Sequence, residues 1–331
     1  DIRKWTMTEG MKVTDLVGVD VSELALEEAG KRSAHCKGLR YAYHLADMSD
    51  PGLPEMIKRG GGGGGVVSSG GGVCCKFDVV ACHYAFHYAC AKSETARQLL
   101  ANAAALVESG GIFLATIIDY RVLKSKVRAA LLHSSSPPSS NTERVGLNTG
   151  EDNNKDEEGL VTGDGDDAAA AAAAAASDAP HAHQSVCAGN DVFQVNFSRD
   201  NAMRLLNLDE PQPVNLHESA PSTITPQNGF GIAYNFSLGD AVDDCPEYVV
   251  PLPEVCLMAE EVGFEVLWAQ NCGDMVLECC EHPFWGPMLS TMHVTPSQGT
   301  NHHHQNRALS QPEWEVAGLY AGVVFRKKVV I

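Results

Sequence analysis

Ring side chains and imidazoles crowd the end of one predicted strand. The stretch from Phe77 to Tyr88 reads FDVVACHYAFHY, and its last six residues hold two histidines, two tyrosines and a phenylalanine. Such rings can stack on the face of a flat base. The alternative is an aromatic core with satisfied histidines, which suits Phe86 better than His87 or Tyr88. The stretch favours a flat aromatic substrate and is unusual for an enzyme that uses a nicotinamide cofactor.

Two acidic residues stand where strands are predicted to end. Asp20 ends Val17-Gly18-Val19-Asp20, and Asp47 follows the apolar run Tyr41 to Ala46. In open α/β sheets, ligands lie beyond the carboxyl ends of the strands. A carboxylate at Asp20 can accept both ribose hydroxyls of a nucleoside, and one at Asp47 can accept from an adenine amino group. For Asp20 a helix-capping role is equally compatible with the spacing, whereas an acid placed like Asp47 is, on its own, more often a turn residue.

The elements that must position these residues alternate between strand and helix. Short apolar runs predict buried strands, and Ser22 and Ser93 predict helix starts. Gly110-Gly111 predicts the end of the second helix. This alternation predicts an α/β fold with a doubly wound parallel sheet. The predicted first-half strands are 16–21, 41–46, 77–84 and 112–118; in the second half they are 192–197, 233–238, 264–269 and 319–330, with a helix at 253–262.

The bulk composition excludes several classes of protein. The 331 residues are 44% apolar, enough for a core, and no apolar run approaches the length of a membrane span. A net charge of −18 argues against nonspecific nucleic-acid binding. The 11 cysteines lack zinc-type Cys-x-x-Cys spacing and are interpreted as free, mostly buried thiols of a reducing compartment.

Two low-complexity insertions interrupt what we expect to be a single domain spanning residues 1–331. Residues 60–73 are glycine-rich and predict a flexible surface loop. Residues 134–184 combine a Ser/Pro stretch, an acidic stretch and nine alanines, and predict a disordered segment. The polar run His302-His303-His304 lacks Cys or carboxylate partners, so we expect no metal.

Four blocks of the sequence resemble the mRNA cap (guanine-N7) methyltransferase family. They are Asp1 to Trp5, Gly18 to Ser22, Phe77 to Tyr88, and Gly231 to Pro251. The Pro246-Glu247-Tyr248 segment and the His87-Tyr88 pair are specific to the family. The block around Asp20 is shared by most sheets that bind a nucleoside cofactor. The resemblance implies a Rossmann-like class I methyltransferase fold.

The resemblance also implies two sets of site residues. Asp20 would hold the ribose of S-adenosylmethionine and Asp47 its adenine, while His83, which replaces the usual Gln, and Tyr88 would line that pocket. Tyr84, which replaces the usual Phe, belongs to the same set. Lys4 and Arg32 would meet the cap phosphates. The residues expected to hold the cap guanine are His87, Glu247 and Tyr320.

The implied reaction needs no nucleophile or general base. Guanine N7 carries an exposed lone pair and the donor is a sulfonium, so direct in-line transfer removes no proton. Rate would come from alignment and from the field around a base that becomes cationic. Glu247 fits this role; on residue type alone it can equally be a loop salt bridge. The expected partner is 5′-capped RNA, with other capping or transcription machinery; the protein would be a nuclear monomer without membrane contact.

The chain starts inside the block that the family uses near its cofactor loop. We expect the first strand and the glycine-rich loop to precede Asp1 and to be missing from this sequence. A noncatalytic cap-binding or scaffold protein is therefore the alternative function. A Gly-x-Gly-Lys-Gly-Gly-like coding segment upstream of Asp1 would favour the enzyme. A different S-adenosylmethionine-dependent methyltransferase is a third option, against which the Pro246-Glu247-Tyr248 segment argues.

Overall fold

The structure is a computed structural model that describes residues 13–59, 65–68, 76–134, 185–208, 229–239, 241–295 and 308–329. Several of the residues discussed above lie outside these ranges. They are Lys4, His302 to His304, nearly all of the acidic insertion at 134–184 and most of the glycine-rich stretch at 60–73. The fold is mixed α/β, as the alternation predicts.

The first sheet contains the two strands that end near the predicted nucleoside-binding acids. Strands β1 (Asp15–Asp20) and β2 (Arg40–Leu45) are parallel and are joined by helix α1 (Glu23–Ser33). Ser22 caps α1, because its side chain accepts from the backbone N–H of Ala25. Strand β3 (Gly65–Ser68) pairs antiparallel with β2 inside the stretch predicted to be a flexible loop. Helix α2 (Leu53–Lys58) lies between β2 and β3 in the chain.

The second sheet is four-stranded and carries the ring-rich stretch at its edge. Its order is β10 (Phe264–Asn271), β11 (Tyr320–Lys327), β5 (Val107–Ile118) and β4 (Phe77–His83). Strands β4 and β5 are parallel, whereas β11 is antiparallel to both β5 and β10. Helices α3 (Phe86–Ala89) and α4 (Ser93–Leu106) connect β4 to β5. The two final strands thus join the strands of the first half in one sheet.

The third sheet is an antiparallel meander built from the second half of the chain. Strands β6 (Val186–Gly189), β7 (Phe193–Phe197), β8 (Ala233–Leu238) and β9 (Val242–Tyr248) pair in sequence order. Helix α5 (Tyr120–Ser134) precedes it and α6 (Arg199–Leu206) lies between β7 and β8. The remaining helices are α7 (Leu252–Glu261), α8 (Cys272–Cys280), α9 (Trp285–Thr291) and α10 (Gln311–Ala317).

Two large apolar cores hold these layers together. In one, α4 and α7 pack on the second sheet, where Phe113, Phe264 and Phe325 lie within about 6 Å of one another. In the other, α5 and α6 pack on the third sheet. Between the first sheet and α4, the amide nitrogen of Asn102 donates to the carbonyls of Met48 and Asp50. That contact anchors the loop that carries Asp47.

The glycine pair at 110–111 has a different role from the one predicted. Helix α4 ends at Leu106, and both glycines lie inside β5. Gly110 has φ of +80°, and the pairing with β4 jumps from Val107 to Ile112 at this point. The pair therefore forms an irregularity in the strand, where glycine tolerates positive φ, and does not cap the helix.

Cysteine placement also differs in part from the expectation. All nine described cysteines are free thiols, but only Cys90 among them is fully buried.

Candidate functional site

Tyr84 leaves the end of β4 in an unusual backbone conformation. Its φ of +54° lies in the left-handed region, which costs a non-glycine residue about 1–2 kcal/mol. Its backbone N–H donates to the carbonyl of Thr116 on β5, and His83 Nδ1 lies 2.8 Å from the Thr116 hydroxyl. The turn leaves Tyr84 57% exposed, with its ring edge-on to Tyr320 at 4.9 Å. Observed strain of this kind concentrates at functional sites.

The short helix α3 then places one residue inward and the next outward. His87 is only 3% exposed, whereas Tyr88 is 46% exposed, and their ring centroids are 4.1 Å apart. The Tyr88 hydroxyl lies 3.5 Å from the thiol of Cys245 on β9. Phe86 is fully buried in the core, which is the role the sequence favoured for it.

Glu247 is a buried carboxylate between two elements. It is 5% exposed, and its Oε2 accepts a hydrogen bond of 2.7 Å from the Tyr234 hydroxyl on β8. Its Oε1 lies 3.4 Å from His87 Nε2. The structure thus brings together two of the three guanine-binding candidates, His87 and Glu247, from distant parts of the chain, and it excludes a surface salt bridge for Glu247.

The β8–β9 hairpin determines which face of the sheet Glu247 occupies. Tyr234 and Glu247 are direct cross-strand partners, and the register shifts between Phe236 and Leu238. Asp244 has φ of +45°, and its backbone N–H donates to the Ser237 hydroxyl at this irregularity. Because side chains alternate along a strand, a slip of one residue would turn Glu247 to the opposite face.

Burial controls the ionisation of this pair. Desolvation lowers the pKa of His87 to about 4, so its imidazole is neutral near pH 7. Desolvation also raises the pKa of Glu247, and the hydrogen bond from Tyr234 partly opposes that shift. The close approach of the two side chains is therefore not an ion pair at neutral pH. Neither ring nitrogen of His87 has a hydrogen-bond partner among the described residues.

Three tyrosine rings continue outward from this polar pair: Tyr88 contacts His87, Tyr320 interacts with Glu247, and Tyr84 contacts Tyr320. Burial is the main cause that raises the pKa of the Tyr84, Tyr88 and Tyr320 hydroxyls, and the Glu247 charge adds to the shift at Tyr88 and Tyr320. All three stay neutral near pH 7. The cluster offers ring faces for stacking, one carboxylate acceptor and an imidazole with unused hydrogen-bonding capacity. That set suits a planar base with adjacent N–H donors.

The two nucleoside-binding candidates follow adjacent parallel strands. Asp20 ends β1, and its Oδ1 accepts from the backbone N–H of Ser22. Asp47 follows β2, and its Oδ1 accepts from the backbone N–H of Ser49. Both carboxylates are exposed. Ser22 supplies the helix cap, so Asp20 is not itself the cap of α1.

Arg32 is not part of either group. It lies in the last turn of α1, about 14 Å along the helix from the end that follows Asp20, and its Nε is 3.0 Å from Glu28 Oε1. Its cap-phosphate role stays a prediction, as does that of Lys4. Residue type alone assigns no role to Tyr234. The alternating pattern of β8 and the nearby Gly239 nevertheless indicate a hairpin that would pair Tyr234 with β9.

Within the described ranges, no group of three or more His, Cys, Asp or Glu side chains is placed to hold a metal ion. No helix in this part of the chain is long and apolar enough to cross a membrane.

A pH prediction follows from the burial of His87. Because its pKa is about 4 in the fold and 6.5 in the free side chain, the unfolded chain gains a proton first as pH falls, and stability declines between these values. We expect His87 to account for about 2 kcal/mol of the stability lost between pH 7 and pH 5. Chemical denaturation of the wild type and His87→Gln at both values should show a smaller loss in the variant. Equal losses would contradict a neutral, buried His87.

The fold and the site define a class of protein. Parallel strands with a helical crossover, exposed acids at two strand ends and an aromatic cluster are features of a Rossmann-like α/β protein that can bind a nucleoside. The family model of the mRNA (guanine-N(7))-methyltransferase domain matches residues 1–136 and 178–328. The chain belongs to this family. The unmatched part, 137–177, falls within the predicted acidic insertion.

Curated relatives carry the same family name. The chain is 27% identical over 252 residues to mRNA cap guanine-N(7) methyltransferase 1 of Oryza sativa subsp. japonica, covering 76% of this chain and 48% of that protein. It is 23% identical over 333 residues to mRNA cap guanine-N(7) methyltransferase 1 of Arabidopsis thaliana, covering 99% and 66%. The chain spans about half to two thirds of the length of these relatives.

Solved structures give a weaker likeness. A S-adenosylmethionine-dependent methyltransferase from Clostridium acetobutylicum aligns with a TM-score of 0.36 at 9% identity, covering 96% of this chain and 85% of that one.

Proposed function

We propose that the protein transfers a methyl group from S-adenosylmethionine to N7 of the guanine that caps mRNA. The observation that carries the proposal is the buried Glu247. It accepts a hydrogen bond from Tyr234 and faces His87, in a cluster that also contains the three tyrosine rings described above. A buried carboxylate without a cation among these neighbours is costly unless a ligand supplies donors. The guanine edge supplies them through its N1–H and 2-amino groups.

The reaction itself is a displacement that the residues can align without proton transfer. The N7 lone pair attacks the methyl carbon, the new N–C bond forms as the S–C bond breaks, and the sulfur keeps the bonding electrons. Guanine gains the positive charge that the sulfonium loses. Stacking on the tyrosines would orient the ring for in-line attack, and the Glu247 carboxylate would stabilise the charge that develops on it.

The methyl donor would be held by the strand-end acids. Asp20 is proposed to accept the ribose hydroxyls and Asp47 the adenine amino group, with His83, Tyr84 and Tyr88 lining the pocket. The exposed carboxylates at the ends of two parallel strands support this assignment, because ligands of open α/β sheets bind at that edge.

The substrate would be RNA that ends in GpppN. We propose that the protein is located in the nucleus, where such RNA ends are made. Fluorescent tagging of the full-length protein tests the location, and exclusion from the nucleus would contradict it. We propose that the protein acts as a monomer, and sedimentation of the purified protein tests this.

Four RNAs of identical body test the activity: GpppA-capped, m7GpppA-capped, ApppA-capped and uncapped triphosphate. With labelled S-adenosylmethionine, only the first should become labelled. Binding of GpppA-capped RNA without transfer of label would favour the noncatalytic cap-binding alternative. Labelling of the m7GpppA or ApppA ends would show a different methyltransferase.

A further inference from the structure

Tyr234 is the only described residue whose side chain hydrogen-bonds to Glu247. Its hydroxyl donates to Oε2 at 2.7 Å, while Oε1 faces His87, whose ring nitrogens form no hydrogen bond. Tyr234 is 2% exposed, and its ring packs 5.1 Å from that of Phe197 in the core. It therefore contacts the carboxylate from the core side, where its ring packs against Phe197.

A carboxylate held through one oxygen has its plane and its free lone pairs fixed. The donor is rigid, because Tyr234 pairs directly with Glu247 across the β8–β9 ladder and its ring is enclosed by core residues. Without the hydroxyl, Glu247 could rotate about its last side-chain bond, whose torsion is broad. The donor edge of a guanine then meets a carboxylate of undefined orientation.

We propose that Tyr234 is a positioning residue that orients Glu247 and thereby sets the preference for guanine over bases that lack the 2-amino group. This inference rests on the proposed function, because it assigns the carboxylate to the guanine edge. It adds a residue that acts only through Glu247.

The charges around the carboxylate support the same role. Four titratable groups interact with the Glu247 carboxylate: Tyr234 on β8, His87 and Tyr88 on α3, and Tyr320 on β11. None of these is a cation at neutral pH. The Tyr234 hydrogen bond is the contact that lowers the pKa of Glu247 against the larger effect of burial. Its loss should raise that pKa further.

The test compares Tyr234→Phe with the matched control Tyr43→Phe. Tyr43 is also buried and also loses one hydrogen bond, to Ser33, but it lies on β2 and does not contact Glu247. The measurement is kcat/KM against pH for RNAs capped with guanosine or inosine. We expect Tyr234→Phe to move the acid limb to higher pH and to reduce the guanosine preference by about tenfold. Tyr43→Phe should change neither.

A second comparison covers the case in which Tyr234→Phe folds poorly. In the Glu247→Ala background the Tyr234 hydroxyl has lost its acceptor, and Tyr234→Phe removes that unsatisfied buried group as well. Adding Tyr234→Phe there should leave kcat/KM unchanged, since Tyr234 acts only through Glu247. A further fall in kcat/KM on adding Tyr234→Phe to Glu247→Ala would overturn the inference. So would a Tyr234→Phe single variant in which both the acid limb and the guanosine preference are unchanged. A wild-type protein that methylates no capped RNA would instead remove the proposed function.

Discussion

Replacing Glu247 by alanine is expected to lower kcat/KM for methylation of GpppA-capped RNA by about 10²–10³-fold. The variant loses a charge-assisted contact to the guanine edge and the negative charge that stabilises the cationic product, together about 3–4 kcal/mol. S-adenosylmethionine affinity, measured by calorimetric titration, should stay within about twofold, because Glu247 is assigned to the other substrate.

Glu254→Ala provides the matched control for this prediction. Glu254 lies in the first turn of α7, and burial raises its pKa as it does that of Glu247. Its removal should leave methylation close to the wild-type rate. Near-normal activity of Glu247→Ala, or an equal loss in both variants, would reject the assignment of Glu247 to the guanine.

Asp20→Ala is expected to weaken binding of S-adenosylmethionine and S-adenosylhomocysteine by about 10–100-fold. The carboxylate would otherwise accept two hydroxyl hydrogen bonds, and a net contribution of about 1.5–3 kcal/mol is typical when an acceptor is charged. The thermal midpoint should change little, because Asp20 is exposed and its one described partner is the backbone N–H of Ser22. Calorimetric titration and thermal unfolding measure the two effects.

Ser22→Ala separates ligand binding from local structure. Ser22 is the residue that caps α1, so its loss should cost about 1 kcal/mol of stability and leave the affinity for S-adenosylmethionine unchanged. The opposite outcome, with Asp20→Ala reducing stability and not affinity, would return Asp20 to a structural role.

Apolar runs and helix-capping serines predicted the limits of several strands and helices well. Strand β1 lies within one residue of its predicted limits, as does β2, and α4 begins at the predicted Ser93. The positions of Asp20 and Asp47 follow directly, because each comes at the end of an apolar run. The adjacency of His87 and Glu247 is different, since only the resemblance to a family could join residues so distant in the chain.

The remaining features depend on tertiary contacts that the sequence pattern does not contain. The pairing of Tyr234 with Glu247 is set by a register shift in the hairpin, which periodicity alone cannot place. Gly110 was expected to end a helix, but it lies at an irregularity in a strand. Glycine adopts the same positive φ in both places, so its presence alone does not distinguish them. Division of the strands into three sheets likewise depends on which strands pair, and the alternating pattern does not specify those partners.

RNA capped with 7-deazaguanosine tests the central claim most directly. This base replaces N7 by a C–H group and keeps the N1–H and 2-amino donors that Glu247 would accept. The account predicts that it binds with an affinity within about threefold of that of GpppA-capped RNA and receives no methyl group. Methylation of the 7-deaza cap would show that N7 is not the acceptor. Loss of its binding would show that Glu247 and the tyrosine rings do not supply the main recognition of the base.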